Sequence, residues 1–209
     1  MNPDTTKLRI LTATEQLLGE VGFDGMSTRD IAERSGVNKA LIHYHFRTKE
    51  ELLAVLLNGY YDRLTQNLVA AMALRPQPEE QVQDVVDAYA DFLAQNRTFC
   101  SVVHREVASG RHVGDIVART LPVLQLGTAW LGQVAVNTGD MAELVHVLTS
   151  VYGMVVTYFT HGRVLSQLSP VDPFSPDALE ARKRHVRRVV ALLFEDFRRH
   201  GQDTERLTA

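Results

Sequence analysis

Ser27-Thr-Arg-Asp-Ile-Ala-Glu-Arg-Ser-Gly-Val-Asn-Lys-Ala-Leu-Ile-His-Tyr-His-Phe-Arg-Thr-Lys49 is the stretch on which the reading of the whole chain turns. Ser27 stands three residues before Asp30, a capping-box spacing that satisfies backbone N–H groups left unpaired at a helix start. A first helix therefore begins near Thr28. Gly36 can take the left-handed conformation that other residues resist, which stops this helix at about Ser35, and Asn38 can cap a second one. Three residues separate the two helices, the spacing a helix-turn-helix needs. Ile31, Ala32, Val37 and either Leu41 or Ile42 supply the small apolar residues that lock such a pair at a steep angle.

Charge separates this segment from an ordinary helical corner. Between Arg34 and Lys49 the chain carries Arg34, Lys39, Arg47 and Lys49 and no acid, although the formal net charge of the whole is −3. His43, Tyr44 and His45 lie among these cations and can hydrogen-bond phosphate oxygens. The second helix is thus suited to a DNA major groove. The alternative is a solvated basic helix in an ordinary bundle.

These residues resemble the TetR family of bacterial transcriptional repressors over about residues 8 to 60. The likeness rests on Leu17-Leu18 and Gly22-Phe23, Ser27-Thr-Arg-Asp-Ile-Ala, Ser35-Gly-Val, and Ile42-His-Tyr-His-Phe46 followed by Lys49-Glu-Glu-Leu52. It implies that Thr28, Arg29, Lys39, Leu41, His43, Tyr44, His45 and Lys49 face DNA. At His43 this chain departs from the tyrosine usual in the family. Lys39 and Leu41 are the candidates for base edges, Leu41 suiting a thymine methyl, while Thr28, Tyr44, His45 and Lys49 suit phosphates. Lys49 also sits where the helix dipole disfavours a cation, and a nearby phosphate would explain it.

The 209 residues, 45% hydrophobic and 22% charged, can bury a sizeable core. A single cysteine, Cys100, excludes an internal disulfide framework and any multi-cysteine metal cluster. The first residues have no apolar core of the signal-peptide kind, and no run of about 18 uncharged apolar residues occurs. A cytoplasmic protein without membrane association is expected, with DNA binding confined to one face.

Periodicity makes the remainder helical. Residues 7 to 21 form a first helix ended by Gly22, and Thr48 with Glu51 caps a long helix running to about Ala73. Arg75-Pro-Gln-Pro78 breaks the pattern. Further helices cover Glu79 to Asn96, Thr98 to Val107, and Pro122 to Asn137, the proline suiting a first turn. Gly139, Asp140 and Glu143 mark a capped start to a helix over 141 to 168, apolar round most of its circumference. Ser175 and Pro176 open the last helix, ending near His200. Its Arg182, Lys183, Arg184, Arg187 and Arg188 read as a solvated or interface-rim face.

Little here supports catalysis. Glu143-Leu-Val-His146 has the Glu-x-x-His spacing of di-iron bundles, but there is no second copy; Cys100 and His104 share a helix four residues apart, as many inert pairs do. There is no glycine-rich phosphate loop and no Gly-x-Ser-x-Gly. No catalytic residue, metal or cofactor is expected. Phe92, His104, Trp130 and Tyr152, on four successive helices, mix aromatic surface with polar tips as small-molecule pockets do. Gly127, Gly132, Gly153 and Gly162 inside helices suggest close approach or space for a ligand.

The fold expected is therefore all-α: an N-terminal three-helix helix-turn-helix DNA-binding domain over 1–47, and a C-terminal helical bundle for ligand binding and dimerisation over 48–209, with 48–74 as connecting helix. The resemblance implies dimer contacts from the last two long helices, with Val151, Val155, Phe159, Val186, Val190, Leu193 and Phe197 as candidates. The function expected is a ligand-responsive repressor that grips a palindromic double-stranded operator as a homodimer and is released by a small-molecule effector. The rival is a small-molecule-binding or enzymatic helical bundle whose N-terminal motif is incidental.

Overall fold

In the computed structural model the periodic apolar stretches are helices. Residues 3–110, 112–134 and 141–208 are described, with residues 3, 78, 79, 134 and 197–208 described by their backbone alone. Among the described residues the fold is all-α: α1 (Pro3–Gly25), α2 (Thr28–Ser35), α3 (Lys39–His45), α4 (Lys49–Met72), α5 (Pro78–Gln95), α6 (Arg97–Ser109), α7 (Val113–Val134), α8 (Met141–Thr160), α9 (Gly162–Leu168) and α10 (Pro176–Thr208). The turn expected at Gly139 and Asp140 lies outside the described residues.

The helices gather into two compact units whose boundaries differ from those read in the sequence. One comprises Met1–Arg63 with Asn96–Arg119, the other Leu64–Gln95 with Thr120–Ala209. Helices α4 and α7 each contribute to both.

In the first unit α1 packs against α2 and α6. Ile10, Ala13, Leu17 and Leu18 of α1 are buried with Ile31, Ile42, Leu52, Leu53 and Leu57, which places the three N-terminal helices and the start of α4 round one core. Thr14, buried on the same face, donates its hydroxyl to the Ile10 carbonyl at 2.8 Å, so no polar group is stranded there. Helix α6 joins this unit because its side chains fit the others: Thr98 lies against Gly19, and Phe99 meets the rings of Tyr60 and Tyr61 at centroid distances of 4.8 and 5.2 Å. Tyr60 in turn donates its hydroxyl to Glu15 of α1. The α6–α7 corner is closed by His112, whose ring stands edge-on to Phe23 at 4.8 Å and bonds the buried Glu106 carboxylate at 2.8 Å.

In the second unit α10 packs on α5 and α8, and α5 on α8. Val82, Val86, Val155, Phe159, Val186, Val190 and Phe194 form its core. Part of the basic face of α10 is not solvated as expected: Lys183 pairs with Asp91 of α5 at 3.0 Å, and Arg187 pairs with Asp87 of α5 at 2.9 Å. Arg184 and Arg188 are exposed.

Several helices differ from the sequence reading: α1 runs from Pro3 to Gly25 across the non-helical Gly22 read as its end, α10 continues past His200 to Thr208, and two more differ in their starts or continuity. α7 starts at Val113, nine residues before Pro122, which sits inside it; the buried Ile116 and the Arg119 side chain, bonded to Asn58 and the Asp115 carbonyl, anchor the earlier turns. The helix expected over 141–168 is divided at His161 into α8 and α9. The Phe174 ring packs against this joint, so close to Gly162 that a Cβ there would come within 2.2 Å of it.

Candidate nucleic-acid interface

The α2–α3 corner is built by hydrogen bonds that all act within a few residues. Asp30 N–H donates to the Ser27 hydroxyl at 3.2 Å and Ser27 N–H to the Asp30 carboxylate at 2.8 Å, which closes the capping box. The Ser27 hydroxyl also donates to the Asp30 carboxylate at 2.6 Å, and this bond together with that from the Ser27 N–H holds the Asp30 carboxyl below the usual carboxylate range. Gly36 takes φ 60°, the left-handed region open to glycine, and Ala40 N–H donates to Asn38 Oδ1 at 2.9 Å to start α3. From outside the motif, Arg9 of α1 donates to the carbonyls of Ser35 and Gly36 at 2.6 and 3.3 Å. It neutralises the negative end of α2 and fixes the turn to α1.

Helix α3 is held by one side and displays the other. Ile42 is 0% exposed, with Phe46 buried just beyond the helix, whereas Leu41 is 41% and Tyr44 81% exposed. This settles the choice between Leu41 and Ile42: Ile42 locks the corner, and Leu41 stands outside with Lys39, Ala40 and His43. His45 is half-buried, its ring edge-on to Tyr44 at 5.2 Å. Thr28 lies half-buried at the start of α2, and the exposed Arg29 pairs with Glu33 at 3.2 Å.

The four cations of the acid-free run do not act alike. Arg34 is claimed by Glu20 of α1 through two bonds of 2.8 Å, and the pair raises the Arg34 pKa while lowering that of Glu20. Lys39 and Arg47 have no ion-pair partner among the described residues. Lys49 reaches back to α1, donating to the carbonyls of Phe23 and Met26 at 3.0 and 2.8 Å and covering the Phe23 ring at 4.6 Å. Those carbonyls follow Gly22, whose φ 76° and ψ 178° kink the end of α1.

The puzzle of a cation at a helix start thus has an answer inside the chain, and the phosphate read for Lys49 is not needed to explain it. Lys49→Ala is expected to lower stability by about 1–2 kcal/mol, the worth of charge-assisted hydrogen bonds, measured by urea unfolding. The salt dependence of DNA binding should stay the same; a shallower slope would return Lys49 to the phosphate contacts.

Arg9 and Glu20 were not found from the sequence. Each meets its partner across 14 to 27 residues, and no local pattern marks such a pair.

The four residues read as a ligand pocket divide between the two units. His104 is exposed on α6 in the first unit. The other three belong to the second: Phe92 is buried, Trp130 donates its Nε1–H to Gln81 at 2.8 Å, and Tyr152 is exposed on α8. Cys100 is buried, and burial pushes its thiol up to about 11, far from the thiolate that a nucleophile would need.

The dimer candidates need correction as well. Val155, Phe159, Val186 and Val190 are buried within the chain itself, Val151 and Leu193 are half-buried, and the side chain of Phe197 lies outside the described residues. The strongest apolar stripes of α8 and α10 face α5 and each other. What remains outside is a second stripe: Met141, Val145 and Tyr152 on α8 and Leu192 on α10 are exposed. By length and composition α8 could cross a membrane, yet only 28% of its apolar stretch is buried in the chain.

Comparison with known proteins places this geometry. Residues 10–56 match the model of bacterial regulatory proteins of the tetR family. The chain is 30% identical over 172 residues to the tetracycline repressor protein class A from transposon 1721 of Escherichia coli, covering 78% of this chain and 68% of that one. It is 22% identical over 180 residues to the probable HTH-type transcriptional regulator YttP of Bacillus subtilis, covering 82% and 86%. Among solved structures, the regulator FadR from Bacillus subtilis in complex with stearoyl-CoA superposes with a TM-score of 0.72 at 16% identity, over 88% of this chain and 97% of that one.

Proposed function

The chain belongs to the TetR family of bacterial regulatory proteins, whose members regulate transcription and are not enzymes, and from that membership we propose that it is a cytoplasmic, ligand-responsive repressor. In this reading it binds a palindromic operator as a homodimer, and a small-molecule effector releases it. The observation that carries the reading is the displayed face of α3: Lys39, Leu41, His43 and Tyr44 outside, Ile42 alone inside, and no acid on the helix. Such a face suits a major groove, with Lys39 and Leu41 at base edges and Thr28, Arg29, His43, Tyr44 and His45 along the backbone.

Dimerisation follows from the outer stripe of α8. A helix this apolar with most of its stretch uncovered is stabilised by a partner, and the exposed Met141, Val145 and Tyr152, at helical spacing, give α8 an apolar face on which a second copy can pack. Two recognition helices must then meet successive major-groove faces about 34 Å apart. An effector that binds two states of the second unit unequally would shift that separation through α4, to which both units contribute.

Selection of bound sequences from a random duplex library tests the reading: a two-fold symmetric site should emerge, and an unenriched pool would refute it. Lys39→Ala should then change which operator variants are preferred, by about 1–3 kcal/mol at one position of each half-site. Uniform weakening across the library would remove Lys39 from the base contacts.

A further inference from the structure

The groove between α5, α8 and α10 contains a cation that no carboxylate meets among the described residues. Arg182 lines it beside Val86, Ala90, Val155, Phe159 and Val186. Its Nη2 donates to the Met154 carbonyl and its guanidinium lies 5.3 Å from the centre of the Tyr158 ring. Its Nε is buried with no hydrogen-bond partner, and no carboxylate pairs with it among the described residues. Asp91, which also lines the groove, is held by Lys183 at 3.0 Å, and Arg187 holds Glu180 at 2.6 Å and Asp87 Oδ2 at 2.9 Å, Asp87 Oδ1 being buried without a partner of its own. Burial pushes the Arg182 guanidinium below its ordinary range, as it does for a charge left without a counter-ion.

Arg182 is half-buried, and a guanidinium whose Nε–H is out of water and unpaired is costly unless an acceptor meets it. One guanidinium with a free Nε edge matches one carboxylate, whereas a phosphate dianion would call for more donors than this wall holds. We propose that the groove is the effector site and takes a small apolar carboxylate, with the carboxylate on Arg182 and the hydrocarbon body against Val86, Val155 and Phe159. This rests on the effector-release reading above. The groove spans about 330 Å³ with its mouth included, but its interior has room for about one water molecule. The ligand therefore binds a state in which α10 has moved away from α5 and α8, and that selectivity is what lets binding shift a conformational balance.

Benzoate, phenylacetate and octanoate, tested against benzyl alcohol and 1-octanol on the full chain by ligand-observed NMR and thermal shift, decide the matter. At least one carboxylate should bind at millimolar concentration or tighter, at least about tenfold better than its matched alcohol. Arg182→Gln should abolish that preference while leaving the melting temperature of the unliganded chain unchanged or higher, because no partner charge is stranded. The proposal is overturned if none of the three carboxylates binds, if acid and alcohol bind alike, or if the preference survives Arg182→Gln. Operator binding without ligand is measured on the same preparations. A chain that grips operator but ignores carboxylates refutes this inference alone, and one that prefers carboxylates but binds no operator refutes the repressor reading instead.

Discussion

An Ile42→Ala chain is expected to lose about 2–4 kcal/mol of stability in its first unit, the usual cost of emptying a fully enclosed aliphatic site, and to lose operator binding with it. Ile42 is 0% exposed and the one buried residue of the seven-residue α3. A helix that short has almost no stability of its own, so its orientation depends on that anchor, on Phe46 and on the caps at Asn38 and Gly36. Leu41→Ala is the matched control. With 41% of Leu41 exposed, its truncation should move the urea midpoint little, within about 0.5–1 kcal/mol, yet weaken binding to sites that place a thymine methyl against it. Equal losses of stability for the two would mean that the inner and outer faces of α3 have been misassigned.

On the proposed dimer, Val145→Asp is expected to yield monomers without unfolding the chain. Val145 is 46% exposed in the single chain, so a carboxylate there is hydrated and harmless until a partner helix covers it. Inside an apolar interface the same group has no counter-ion, at a cost of about 3–5 kcal/mol, roughly two to four decades in the dimer dissociation constant. Circular dichroism should stay unchanged while sedimentation shows half the mass. Affinity for a two-fold operator should fall by a similar factor, since only one recognition helix would remain to each particle. A Val145→Asp protein that stays dimeric would move the interface away from α8.

The helix-turn-helix was legible because its signals are local. Ser27, Asp30, Gly36 and Asn38 each act on backbone within four residues, and such effects leave their mark in sequence spacing. The roles of the cations were not legible. Arg34 and Lys49 look like Lys39 along the chain, and only folding brings Glu20 to the first and the carbonyls of Phe23 and Met26 to the second.

The same limit explains the dimer residues. Hydrophobic periodicity shows that a helix face must be covered, but not whether the cover comes from the same chain; α5 covers Val155 and Val186 before any partner can. Pro122 was read as a helix start because a proline costs least there, whereas packing at Ile116 and Arg119 holds the helix from Val113. Arg182 was read with its basic neighbours as surface. That no carboxylate among the described residues pairs with it is a property of the packed helices alone.

The most direct test of the whole account is sedimentation combined with fluorescence anisotropy on the selected duplex and on random duplex of equal length at physiological ionic strength. Two chains should assemble on each two-fold site and bind it at least about a thousandfold more tightly than random DNA. A protein that is monomeric in solution and on DNA, or that grips both duplexes alike, would contradict it.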